Sequence, residues 1–195
     1  MSARGGGRLL LAATVGNLAD GVRVSAFPLL VAGLTRSPLV VALTTALTHL
    51  PWLLFALYAG LAVDRHGARR VLVTSHAMRA LLMLPALAIA ASGAAVSLLL
   101  AVIFALGVLE VFVNTAEPTL VPAVVAADAL AKTNARLSVL ELIMNSFFGV
   151  ALGATLFGVQ KWLPFVIVAS PETMRSPLFE SEPTPMISRA AEVCR

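Results

Sequence analysis

The chain is short of charge, of aromatic side chains and of cysteine. Only 12% of its 195 residues are charged and 6% aromatic, against 59% hydrophobic. Soluble domains carry about 25% charged residues, so this set is too poor in charge to clothe a water-facing surface. The single Cys194, one residue from the end, excludes a disulfide framework and a cysteine-ligated metal centre. The sequence shows no nucleophile–base–acid set, no metal-ligand cluster and no phosphate-cradling glycine loop, which argues against an enzyme. No catalytic residue, metal or cofactor is therefore expected. What is present is apolar: mean hydropathy is +0.93. A membrane protein is the class that accommodates so much apolar surface, with the lipid bilayer as first partner.

A formal charge of +4 does not read as a nucleic-acid footprint, because the basic residues sit mostly in short connections between apolar runs. About 20 apolar residues are needed to span a bilayer as a helix. Five segments reach that length: about Leu9 to Leu34, Leu39 to Val63, Val71 to Ala91, Ala95 to Pro118 and Leu137 to Val159. Turn chemistry separates them at Thr35-Arg36-Ser37-Pro38, around Gly67 and at Ser92-Gly93, with a longer, partly polar connection from Thr119 to Arg136. The fold class expected is all-α, a polytopic transmembrane helix bundle. Arg4 and Arg8 ahead of Leu9-Leu10-Leu11 mimic a signal peptide. The apolar character, however, continues past Asp20 to about Leu34, longer than a cleavable signal needs.

With the N-terminus in the cytoplasm, Arg4, Arg8, Arg65, Arg69, Arg70, Lys132 and Arg136 lie inside, and only Arg36 and Lys161 lie opposite. That bias predicts a multi-pass protein of a bacterial-type inner membrane with a cytoplasmic N-terminus, residues 1–8. Residues 9–169 are expected to form the transmembrane bundle. Trp162 to Ala169 opens like a sixth span and stops after about eight residues. From 170 to 195 the chain is polar and holds four of the eleven prolines, which predicts a disordered tail.

Charges inside a span cost about 2.5 to 3.5 kcal/mol each on insertion scales, so each needs a reason. Asp20 and Arg23 stand three apart on one helix face and can neutralise each other. Two readings are open: a local ion pair that lowers insertion cost, or a cavity site for a proton or a cationic solute. Glu110, at mid-span with no basic neighbour in its own helix, needs Arg23 or Arg79 as partner, and Arg79 needs Glu110 or Asp20. Glu110 is equally a cavity site or a structural inter-helix pair. Glu117 beside Pro118 reads as interfacial, and Glu141 is equally interfacial or functional. Asn145 is expected to hydrogen-bond a neighbouring helix, and Gly149 and Gly153, four apart, form a small-residue face for close helix packing.

The most informative stretch is Gly60-Leu61-Ala62-Val63-Asp64-Arg65-His66-Gly67-Ala68-Arg69-Arg70. Two glycines, one acid and three basic residues at this spacing closely resemble the signature loop of major facilitator superfamily transporters. Gly16-Asn17-Leu18-Ala19-Asp20-Gly21 and Leu120-Val121-Pro122, leading to Leu130 and Asn134, look like the enterobactin-exporter-like branch. Gly149 to Gly153 is similar to the glycine-rich fifth-span motif of proton-coupled drug exporters, except that Val150 stands where that motif has proline.

The resemblance implies half of a twelve-helix fold that binds a small-molecule solute between two rocking halves. It further implies efflux of drug- or siderophore-like solutes, with the proton as the coupling ion. The loop residues Gly60, Asp64, Arg65, Gly67, Arg69 and Arg70 would then act as a cytoplasmic latch against the other half. Asp20, Arg23, Arg79 and Glu110 would face the cavity. The chain is expected to end inside the sixth span and to need a second half, or a homo-oligomer, to transport. Two alternatives stay open: a non-transporting fragment, and a small membrane scaffold whose tail binds a partner.

Overall fold

The computed structural model describes residues 3–93, 96–124 and 130–168. Among them all regular structure is helical: α1 (Ala3–Leu34), α2 (Pro38–His66), α3 (Ala68–Ser92), α4 (Val96–Val124), α5 (Leu130–Glu141), a π-helical segment (Leu142–Gly149) and α6 (Val150–Val159). The last three run on as one fifth span. Five helices are long and apolar enough to cross a bilayer, as expected of a polytopic all-α bundle. The polar tail lies outside the described residues.

Local chemistry explains most boundaries. Pro38 opens α2 in its first turn, where its missing N–H costs nothing. Gly93 closes α3 in the left-handed conformation, its N–H donating to the Ile89 carbonyl at 2.8 Å. The main departure is the signature stretch. It is not an eleven-residue loop: α2 runs through His66, α3 starts at Ala68, and Gly67 alone joins them with φ +82°. Its N–H donates to the Val63 carbonyl at 2.9 Å, and its own carbonyl accepts from the Val71 N–H at 3.2 Å. One residue thus ends one helix and starts the next, at a φ that side-chain-bearing residues avoid.

Three other expectations shift. Helix α1 begins at Ala3 rather than Leu9, and α4 continues past Pro118 to Val124. Proline removes one backbone hydrogen bond, yet in an apolar setting breaking the helix would strand more. The fifth span starts at Leu130, so most of the expected Thr119–Arg136 connection is helical, and 125–129 lie outside the described residues. The sixth segment is helical over 163–168. Phe165 there is buried and meets Phe27 edge-on, ring centroids 5.2 Å apart.

Helix α4 packs on α2 and α3, while α1 packs chiefly on the fifth span. Two apolar clusters divide the core. The larger joins Val22 to Val31 of α1, Met83 to Ala90 of α3 and Leu99 to Leu106 of α4 with Phe165 and Val168. The smaller, at the Gly67 end, joins Val63, Val71, Leu72, Val113 and Ala116. Between them, at the level of Glu110, lies a polar layer.

Candidate functional site

That layer consists of four charged side chains. Asp20 and Arg23 sit one turn apart on α1, Arg79 on α3 and Glu110 on α4, each eleven to fourteen residues from its helix's end at the α1–α2 turn side. Arg79 Nη2 donates to Asp20 Oδ1, and Arg23 Nη2 donates to Glu110 Oε2. Arg23 Nη2 also lies 3.5 Å from Asp20 Oδ1. The result is an alternating chain, Arg79–Asp20–Arg23–Glu110, that ties three helices together and sums to zero formal charge.

The arrangement resolves the partner choices that spacing left open. Helix α3 leans on α4 rather than on α1, but the long Arg79 side chain reaches past to Asp20. Glu110 takes Arg23. Burial divides the network by sign: Arg79 and Arg23 are 1% and 4% exposed, whereas Asp20 and Glu110 are 17% and 23% exposed. Anything that approaches the layer from outside therefore meets carboxylate first. A zero-sum network costs far less to bury than four separate ions, because each desolvated charge has an opposite one within contact distance.

The fifth span is held to α1 by glycine. A Cβ on Gly149 would lie 2.7 Å from Gly21 Cα, and one on Gly153 would lie 2.7 Å from the Val22 carbonyl oxygen. Both are closer than side-chain carbons come to backbone, so the two helices touch backbone to backbone. This close approach falls at the end of the π-helical segment and directly beside Asp20. Asn145 presents its backbone carbonyl to Gly21 of α1.

In the signature stretch Asp64, Arg65, Gly67 and Arg70 are exposed, and Gly60 and Arg69 half-buried. Open space surrounds the Gly60 α-carbon. Arg69, and Glu117 on α4, each have a partner. No network residue comes from this stretch. The 490 Å³ groove beside Lys132, Arg136 and Val139 is lined by α5 alone and lies apart from the ion network.

Sequence reasoning missed three residues. Gly21 is the counterpart of Gly149, legible only as a small residue beside Asp20. His76, completely buried one turn before Arg79, was hidden among apolar neighbours. His49 stands exposed near the middle of α2. A roster of every titratable residue inside a span would have found both histidines. Among the described residues no group of His, Cys, Asp and Glu could hold a metal ion.

No curated protein and no solved structure matches the chain. The family model described as transmembrane secretion effector matches residues 7–169. That range takes in the signature turn, all four members of the ion network and the glycine seam, and the chain belongs to this family of major facilitator superfamily membrane transporters.

Proposed function

We propose that this chain is the N-terminal half of an exporter that moves drug- or siderophore-like small molecules out of the cell by alternating access coupled to protons. The reading rests on one observation above the rest: a zero-sum ion network at mid-height whose arginines are buried and whose carboxylates are partly exposed. Protonating Glu110 or Asp20 cancels one negative charge and frees its arginine to change partners. An interior ion pair that opens with a single proton is a two-state element, which is what coupling requires. Membership in a transporter family speaks for transport rather than chemistry on the solute.

The proposed orientation puts the N-terminus and the Gly67 turn in the cytoplasm of a bacterial inner membrane, following the basic residues. There Asp64, Arg65, Arg69 and Arg70 act as the latch. Exposure of Asp64, Arg65 and Arg70 leaves them available to an opposing surface. We further propose that transport needs a second half, either another chain or a second copy. Helix α2 and the fifth span are each only 11% buried across their most apolar stretch, against 39–50% for the other three, and supply the face for that half.

The test uses everted membrane vesicles with an imposed proton gradient and a fluorescent dye as cargo. Asp20→Asn and Glu110→Gln are expected to abolish gradient-driven dye movement while the protein remains in the membrane. Undiminished coupled movement in both variants would remove the network from the mechanism. Uphill transport by the purified chain reconstituted as a monomer would remove the need for a second half.

A further inference from the structure

The fifth span carries the one regular element among the described residues that is not α. Eight residues, Leu142–Gly149, are π-helical, set between α5 and α6. Such geometry is rare, and inside α-helices it is mostly a single-turn bulge at a functional site. No proline lies between Leu130 and Leu163, so no side chain forbids ordinary i→i+4 bonding through this stretch.

The consequence of the segment is a rotation. In an unbroken α-helix, at about 100° per residue, Leu140, Leu137 and Thr133 would point about 180°, 120° and 160° away from Gly149. Gly149 faces α1. Helix α5 also packs on α1, and between Ala131 and Glu141 it is Leu140, Leu137 and Thr133 that are half-buried. Ser138 and Leu142, each about 20° from Gly149 in an unbroken helix, are exposed instead. The π segment therefore turns α5 by about 150° against α6.

The two flanks are held unequally. A Cβ on Gly153 would lie 2.9 Å from the Val22 α-carbon, so α6 has no room to turn against α1. Helix α5 meets α1 through two leucines and a threonine, and an opposite turn would exchange these for Ser138 and Leu142. Lipid tails are as apolar as leucine, so leucines turned outward lose little.

We infer that the fifth span has two registers, the π register of this structure and an unbroken α register in which α5 turns about its axis while α6 stays on α1. Asp20 is the group that selects between them, because it precedes Gly21, against which the Asn145 carbonyl packs from inside the π segment. Selection by Asp20 rests on the coupling reading above; the existence of two registers does not. The device lets the ion network drive one half of a span without loosening the other.

Cys194→Ser removes the native thiol, and nitroxide labels are then placed in pairs: Ser138→Cys with Arg70→Cys, and Leu140→Cys with Arg70→Cys. Each full chain sits alone in a lipid nanodisc, and distances are read by double electron–electron resonance. A label carried round with α5 crosses roughly the width of a helix, so a second distance shifted by about 10 Å is expected. Ser138 and Leu140 lie on opposite sides of α5, so their shifts should have opposite signs. Asp20→Asn is expected to enlarge the shifted population. Arg79→Lys, which keeps the charge but shortens the reach to Asp20, should do the same and serves if Asp20→Asn does not fold. Thr155→Cys with Arg36→Cys should keep one distance throughout, a distance that an unfolded chain would lose. A single unshifted distance for both α5 pairs, in the intact and substituted networks alike, overturns the two registers. Two populations whose ratio neither substitution alters overturn selection by Asp20 alone. Loss of gradient-driven dye movement bears on the coupling reading, whereas the distances decide this one.

Discussion

Helices α1, α3 and α4 and the pair formed by α2 and the fifth span solve the same membrane problem in opposite ways. The three are 39–50% buried across their most apolar stretches and carry their charges deep, each arginine against a carboxylate of another helix or turn. The two are 11% buried there, and their polar side chains, Thr45, His49, Ser138, Glu141 and Ser146, stand exposed. The difference teaches how to read polarity in a membrane chain. In the buried set a charge is settled by its internal partner, so it reports on coupling between helices. In the exposed set these five side chains have no hydrogen-bond or ion-pair partner among the described residues, so they report on what the chain faces.

That contrast can be broken experimentally, beginning with the network. Arg79→Ala leaves Asp20 with Arg23 alone, 3.5 Å away and shared with Glu110, and is expected to destabilise the bundle by about 3 kcal/mol. Thermal unfolding in mild detergent would register it, and pairing it with Asp20→Asn should recover a large share. If the single substitution is silent, the network is not a structural tie.

Next comes the glycine seam. Gly149→Val pushes a side chain into the α1 backbone and is expected to cost about 3 kcal/mol, the upper end for overpacking. The same experiment on Gly33, which has open space around it, should cost less than about 1 kcal/mol. Equal losses at both would mean that the seam does not hold α1 to the fifth span.

At the signature turn, Gly67→Ala forces a side chain into the left-handed region and is expected to cost about 1–2 kcal/mol. Proteolysis at the α2–α3 turn should rise in that variant. On the exposed helices the smallest effect is expected: Leu53→Ala should change unfolding by less than about 0.5 kcal/mol, since lipid replaces what is removed. A loss of several kcal/mol there would show that Leu53 is covered by protein.

Much of this was legible before any coordinates. The five spans follow from the lengths of the apolar runs, and the Asp20–Arg23 pair from a three-residue spacing that places both on one helix face. The small-residue motif at Gly149 and Gly153 announced a close approach but could not name Gly21 as its partner. The π-helical segment had no signal at all in composition or period, and the eleven-residue signature looked like a loop because its charges resemble loop charges. Two helices of 29 and 25 residues overrun the bilayer, so those charges can remain helical and still reach water.

By itself the sequence determined the class: continuous apolar runs of about 20 residues, with this little charge, cross a bilayer as helices, which pair every backbone group within the segment. It also determined that the buried charges must pair. Only the tertiary structure decided which ones do: Arg79 with Asp20, Arg23 with Glu110, and His49 with none of them. Spacing along a helix sets direction and depth, but the identity of a partner depends on which helix stands next to it, and that is a property of the packed bundle.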